Sequence, residues 1–434
     1  MDETRPARGG LRSVRPGARV DRLEIFFDLV FVFAFYNIAR VTAGELTGQG
    51  LVAGMLILAL LWWAWCSHLM LANRIRLGEG IAPLVMFAAM AAVFTAALTI
   101  PQAFTDKPSG LPGPLLMAGC YLVVRGLHLL LYGLAPDDGR AGGPRLGRLA
   151  VPPLLATALL VGAGVVPYLG LSSNVVFALQ VGCWLAALTV EYAAGYLLAT
   201  WGWAVRAASH WVERFELILM IALGELIVSV GVGSDLIARP VTWPAVAGAT
   251  FAVAVAAALW WSHFDLVAPA ALQAFHATDE ARSRAALARD AYVYLHQPMI
   301  AGLILTALGM EEALHHLGTA GVDLSTPAAA PTMPLAYGGA ALFFVAQVGF
   351  QARMLGTVTV TRVAVVVVLV GLAPVAARSP ALAGTALLAV VCVGLVLAEM
   401  VLLRKSRRRL REATMHERLT HEARESAWRQ RRYH

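Results

Sequence analysis

Lysine is almost missing from this chain of 434 residues: only Lys107 and Lys405 occur. Neither lies in an apolar segment, so a retinal-type Schiff base, which needs a buried lysine amine, is excluded. Charge is scarce too, at 14% of residues against a hydrophobic share of 59%. Soluble domains carry about a quarter charged residues, which places this chain outside that class. The four cysteines, Cys66, Cys120, Cys183 and Cys392, lie far apart in apolar segments with no CxxC spacing. Nothing in them suggests a disulfide framework or a thiolate metal site, and they read as small packing residues. The absence of a Walker-type phosphate loop argues against ATP-driven pumping, and the absence of HExxH against a zinc hydrolase.

What the chain has in quantity is apolar sequence in runs of about twenty residues, the length that crosses a ~30 Å hydrocarbon core as a helix. The expected fold is an all-α polytopic membrane protein with about 12 transmembrane helices. The spans are placed at 23–43, 51–72, 81–100, 111–135, 149–169, 175–199, 212–232, 241–267, 291–309, 335–355, 360–377 and 381–403. Residues 1–22 are basic and Gly/Pro-rich with no small-residue cleavage site beyond the first apolar run, so they read as a cytoplasmic tail and not a signal peptide. Arginines then alternate by loop: Arg74/Arg76, Arg140/Arg145/Arg148, Arg206, Arg282/Arg284/Arg289 and Arg353/Arg362 fall on one side. The other side holds only Arg40, Lys107, Arg239 and Arg378, which predicts both termini in the cytoplasm of a bacterial cell. The tail 404–434 is strongly basic. Pairs such as Arg418/Glu422 and Glu425/Arg429 suggest a solvated helix that anchors topology, with attraction to anionic lipid as the alternative. Nothing beyond charge suggests nucleic acid as a partner.

An internal repeat is written into the apolar sequence. Phe27–Val41 aligns without gaps on Phe215–Ser229, which puts Asp28 on Glu216 and Asn37 on Glu225. "WCSH" (Trp65–His68) aligns on "WWSH" (Trp260–His263), Pro83 on Pro298, and Cys183…Glu191 resembles Cys392…Glu399. The expectation is two related six-helix halves, 23–205 and 206–403, in one orientation and with a site between them, a common plan of secondary transporters.

Three stretches carry a more specific signal: "RVDRLEIFFDLVFVFAFYNIAR", "LLWWAWCSHLMLANR" and "HWVERFELILMIALGELIVSV". They resemble the hallmark segments of the bacterial low temperature requirement A family. The resemblance implies an integral membrane protein and no established reaction. In the eighth span the family tends to read W-W-x-Y-F-D, whereas "WWSHFD" here puts His263 at the aromatic position, which makes any histidine-specific role particular to this protein.

An ionised acid near the bilayer centre costs about 2.5–3.5 kcal/mol on insertion scales, so acids inside spans should face the bundle and find a partner or a role. Asp28, Glu216 and Glu225 are the leading candidates for a substrate or proton pathway, with Asn37 as the uncharged repeat equivalent of Glu225. Asp28 and Glu216 could instead tie the halves together through Arg214. Glu225 lies opposite Glu216 on an ideal helix, so a shared cavity would need a break at Gly224. Arg125, the basic residue deepest in a span, should pair with Asp28, Glu216 or Glu225. Glu24 reads as a surface ion pair beside Arg22, and Glu191 and Glu399 as interfacial structural acids. His68, His263, Asp265, His296 and Glu191 are secondary candidates. His68, His128, His263 and His296 raise haem or metal as an alternative, with a bis-histidine site between halves as one form. No two of them share a helix at ligand spacing, and no cofactor is expected. Glu311, Glu312, His315 and His316 read as a solvated loop helix, with weak binding of a surface divalent ion as the alternative. The favoured function is a proton-coupled transporter or permease of an unknown small molecule. A sensor or scaffold, or a membrane enzyme acting on a lipid- or quinone-like molecule, remains open. Membrane lipids are expected partners, and a homo-oligomer is compatible.

Overall fold

The structure is a computed structural model that describes residues 10–14, 19–44, 47–136, 143–197, 205–235, 238, 240–318, 326–327, 331–409 and 412. It is all-helical apart from two isolated bridges, Ser13 to Ile75 and Pro327 to Pro380, among the described residues. The helices are α1 (Arg22–Gly44), α2 (Gly48–Ala72), α3 (Ala82–Thr99), α4 (Gly113–Leu134), α5 (Gly143–Val165), α6 (Ser173–Leu197) and α7 (Ala208–Val228). They continue with α8 (Trp243–Phe264), α9 (Val267–His276), α10 (Ala281–Leu287), α11 (Leu295–Gly318), α12 (Thr332–Leu355), α13 (Val360–Ala376) and α14 (Ala381–Leu402). In lipid every backbone polar group must be satisfied within the chain, which the helix does by itself. Eleven helical segments are long and apolar enough to cross a membrane, and α13 is an apolar helix one residue short of that length. All twelve expected spans are thus present as helices, the eleventh being the short one.

Local sequence sets the ends. The Thr47 hydroxyl accepts from Gly50 N at 3.2 Å at the start of α2, and Thr242 does the same for Ala245 N at 3.4 Å before α8. Gly356, at φ 63°, terminates α12 in the left-handed region that glycine adopts without strain. Two features were not foreseen. The ninth span is one continuous path over Ala281–Leu317, and its α11 runs past the expected end at 309 to Gly318. The eighth span bends at Asp265 into α9. Part of the basic N-terminal segment also docks: Leu11 and Val14 are buried, and Val14 N donates to Arg74 O at 3.0 Å.

Packing follows one circuit twice. In the first six helices α1 packs on α2 and α3, α3 on α4, α4 on α5, α5 on α6, and α6 returns to α2. Beyond them α7 packs on α8 and α11, α11 on α12, α12 on α13, α13 on α14, and α14 returns to α8. Contacts between the two sets run through α1 and α2 against α7 and α11. There Trp62 Nε1 donates to Val293 O at 2.9 Å, and Trp62 and Trp65 stack edge-on against Phe215 of α7. These aromatic groups bury large apolar area between the sets.

Candidate functional site

Among the described residues, four buried polar clusters bear on the site, and three of them centre on arginine–carboxylate pairs. In the first, Arg214 of α7 forks between two acids of α1. Its guanidinium donates to Glu24 Oε2 and to Asp28 Oδ1, both at 2.5 Å. Trp65 of α2 donates to the same Asp28 oxygen at 2.7 Å, and His210 Nε2 meets Glu24 Oε2 at 2.7 Å. Asn73 closes the knot on the α7 side, donating to Ala207 O at 2.9 Å and accepting from Arg206 N at 2.7 Å. Glu24 is therefore not the surface pair expected beside Arg22. Its i,i+4 spacing from Asp28 puts both carboxylates on the face that meets Arg214, and it is 4% exposed.

The second cluster holds Arg125 of α4, which pairs with Glu191 of α6 at 3.0 Å and also contacts the Ser67 hydroxyl. Tyr121 and Trp63 donate to the two Glu191 oxygens at 2.6 and 2.7 Å. The expected partners Asp28, Glu216 and Glu225 are not at hand. Arg125 sits on the α4 face that looks to α2 and α6, inside the first set of helices, while Glu216 and Glu225 belong to α7 and Asp28 is taken by Arg214. The third cluster was not anticipated: Arg362 of α13 grips Glu399 of α14 through Nε at 2.8 Å and NH2 at 3.0 Å, and NH2 also donates to Ser262 O at 2.6 Å. Asp265, nearby at the end of α8, pairs with Arg407 at 2.7 Å.

The fourth cluster has no arginine of its own. Helix α7 is continuous through Gly224, so the break expected there does not occur. The helix widens instead into a π turn over Ser229–Gly233. Such turns disturb the backbone ladder and recur at functional sites. On the helical turn before it, Glu225 accepts from the Ser229 hydroxyl at 2.9 Å. Glu311 of α11 comes up to the same π turn from the other side: its carboxyl lies directly against Gly233, where a β-carbon would collide with it. Glu225 is 1% and Glu311 6% exposed, and Oε2 of each has no hydrogen-bond partner among the described residues. Arg40 of α1 is exposed and is held on Tyr36 OH at 3.2 Å.

Glu311 was missed because "GMEEALHH" was taken for a loop. It falls seven residues after buried Ile304 and three before buried Leu314, so the apolar spacing of α11 already carried it inward. Of the other candidates, Glu216 is half-buried near Tyr292, with no hydrogen bond or ion pair among the described residues. It does not share the Arg214 knot with Asp28. Asn37 donates to Phe33 O at 2.9 Å within its own helix and is half-buried.

The histidines pair within each set of helices and not across them. His68 lies 5.7 Å from His128, ring centre to ring centre, and His263 lies 5.7 Å from His296. His68 is anchored on Ala64 O at 2.9 Å and His296 on Ala291 O at 3.2 Å. His68 and His263 thus do not come together as a bis-histidine site between halves. No group of three or more His, Cys, Asp or Glu is placed to hold a metal ion among the described residues.

Comparison with known proteins adds the family context. The sequence model of the bacterial low temperature requirement A protein matches residues 19–397. An uncharacterized protein of Rhizobium meliloti (strain 1021) is 26% identical over 312 residues, spanning 68% of this chain and 70% of that protein.

Proposed function

Since the chain belongs to the bacterial low temperature requirement A family, integral membrane proteins whose family name specifies no substrate, we propose that it is a proton-coupled secondary transporter whose coupling site is Glu225–Ser229–Glu311. One observation carries this reading. Buried Glu24, Asp28, Glu191 and Glu399 each touch a buried arginine, whereas Glu225 and Glu311 touch none. Acids kept inside a membrane without a structural counter-ion are costly, and a role in moving charge is what retains them.

The geometry suits a relay. Ser229 donates its one hydroxyl hydrogen to Glu225, so in a relay a protonated Glu311, seated against the same π turn, would be the donor to Oγ. When Glu311 passes its proton to Oγ and Oγ–H passes to Glu225, one proton has crossed from α11 to α7 and no charge has been created. The π turn lets the two helices slide or rewind around this pair, and a substrate would travel against that motion. Two halves related by an axis along the membrane normal, 23–205 and 206–403, fit this plan. Support comes from the repeated packing circuit. It comes also from the arginine that bridges the acid on each sixth helix (Glu191, Glu399) to the serine of each SH pair (Ser67, Ser262), although one arginine belongs to a fourth helix and the other to a fifth.

Glu225→Gln and Glu311→Gln keep size and hydrogen bonding but remove the exchangeable charge. Each is expected to abolish rescue of a cold-sensitive deletion strain while leaving inserted protein with an unchanged melting temperature. Ser229→Ala should behave alike, and Asn37→Ala should do less. A scaffold is the second reading, favoured by the four acids already consumed in ion pairs. Full rescue by both glutamine variants would put the scaffold ahead.

In this reading both termini face the bacterial cytoplasm, as the alternating arginines require. Ser325 and Gly142, in loops that this topology puts outside and inside the cell, lie outside the described residues, as do Arg418/Glu422 and Glu425/Arg429. Exposed Ser109 and Thr357 serve instead. A cysteine at Ser109 should react with an impermeant maleimide on intact cells, and one at Thr357 only after lysis. The reverse pattern would invert the topology.

A further inference from the structure

A cleft of about 530 Å³ opens between α9, the α12–α13 loop and the end of α14, within the size range of small-molecule sites. Its wall is apolar, with Leu266, Leu355, Val358 and Leu402 contributing. Gln351, 3% exposed, also lines it, and its Oε1 has no hydrogen-bond partner among the described residues. Because the wall is built from the ends of membrane-spanning helices and the loop joining two of them, the cleft lies at the boundary of the bilayer. The helical turn over 404–409 continues α14 along its rim, and Ser406 of that turn lines the cleft. Arg407 fixes the turn in place, pairing with Asp265 at 2.7 Å and lying 5.8 Å over the Trp261 ring. Arg404, Lys405, Arg408 and Arg409 are left exposed on it.

We infer that this cleft holds one anionic phospholipid of the surrounding bilayer, with an acyl chain against the apolar wall and its phosphate on the basic turn. The two halves of the surface match the two halves of such a molecule. Arg408 already pairs with Glu412 at 2.8 Å; a neutral partner would leave Arg404, Lys405 and Arg409 unused, and a soluble anion would leave the apolar wall wet. The orphaned Gln351 carbonyl oxygen lies where the glycerol hydroxyls of a phosphatidylglycerol headgroup could donate to it. Basic residues held at a membrane surface attract anionic headgroups with effects that accumulate per residue.

The test is native mass spectrometry of the full chain in detergent, titrated with dioleoyl-phosphatidylglycerol or dioleoyl-phosphatidylcholine. The wild type should retain the glycerol lipid at about tenfold lower concentration than the choline lipid. Replacing Arg404, Lys405, Arg408 and Arg409 together by glutamine should erase that preference. Ala270→Trp, which fills the cleft, should remove retention of both lipids with the charges intact. Ser406→Phe at the opening serves the same purpose should the first variant fail to fold. Equal retention of the two lipids by the wild type overturns the inference. So does a preference that survives both cleft-filling variants, because charge alone then accounts for binding. Retention that arises only after deletion of residues 413–434 assigns the cleft to the tail and overturns it too.

Discussion

Arg214→Leu is expected to cost the protein its fold, with a loss of about 3–5 kcal/mol from leaving buried charges unpaired. Arg214 is 1% exposed, and its guanidinium serves Glu24, Asp28 and the Trp65 face at once. Removing it strands two carboxylates of α1 against α7, at the seam between the two sets of helices. Lysine is a poor substitute, because a point charge cannot fork to two acids as a planar guanidinium does. Arg214→Lys should therefore be intermediate. The sharper measurement is the triple variant Arg214→Leu, Glu24→Gln, Asp28→Asn. With the stranded charges neutralised, much of the loss should return, since a whole buried ion pair adds little net stability compared with a well-packed neutral one. Monodisperse yield and melting temperature in detergent are the readouts. A single Arg214→Leu variant that melts within about 2 °C of wild type would show that the knot is not what joins the two sets of helices.

The fold was legible because the bilayer simplifies the reading. A helix is the solution for an apolar run of twenty residues, so the twelve spans could be placed from composition alone. Side-chain pairing was harder. Arg214 is the alternative partner of Asp28 in the sequence reading, yet Arg22 beside Glu24 points that acid to the surface. Arg125 was given the wrong acids because helix adjacency is not written in a single sequence; α4 turned out to face α6, where Glu191 waited. Arg362 was counted only as a topology marker, although it is fully buried on Glu399. Charge-counting rules assign an arginine near a span end to the loop, and only packing decides whether it turns inward. Glu225 was singled out correctly as a buried acid, but its companion Glu311 was hidden by a span ended too early. The π turn that brings the two together has no pattern in the sequence that an ordinary helix lacks.

Gly339→Ala should be among the most damaging substitutions of a single hydrogen by a methyl group anywhere in the chain. Helices α11 and α12 approach so closely that a β-carbon at Gly339 would lie 2.5 Å from Thr306 N and 2.6 Å from Gly302 O. On the facing helix, a β-carbon at Gly302 would meet Phe343 N at 2.6 Å. These neighbours are backbone atoms, so no rotamer change relieves the clash, and the helices must separate. Membrane helices associate through such small residues because lipid supplies no hydrophobic drive to hold them together. Overpacking of this kind costs about 1–3 kcal/mol. The consequence reaches the proposed coupling site, because α11 carries Glu311 two residues beyond Gly309, whose own β-carbon would strike Ala336 N. Moving α11 off α12 shifts Glu311 relative to the π turn and disrupts the proposed relay. Gly339→Ala should thus lower the melting temperature and abolish function together, whereas Glu311→Gln abolishes function alone. Gly338→Ala is the control, since a β-carbon there meets nothing within 4 Å. If Gly339→Ala and Gly338→Ala melt alike and both support growth in the cold, the two helices do not pack at this distance in the membrane, and the placement of Glu311 beside Ser229 falls with it.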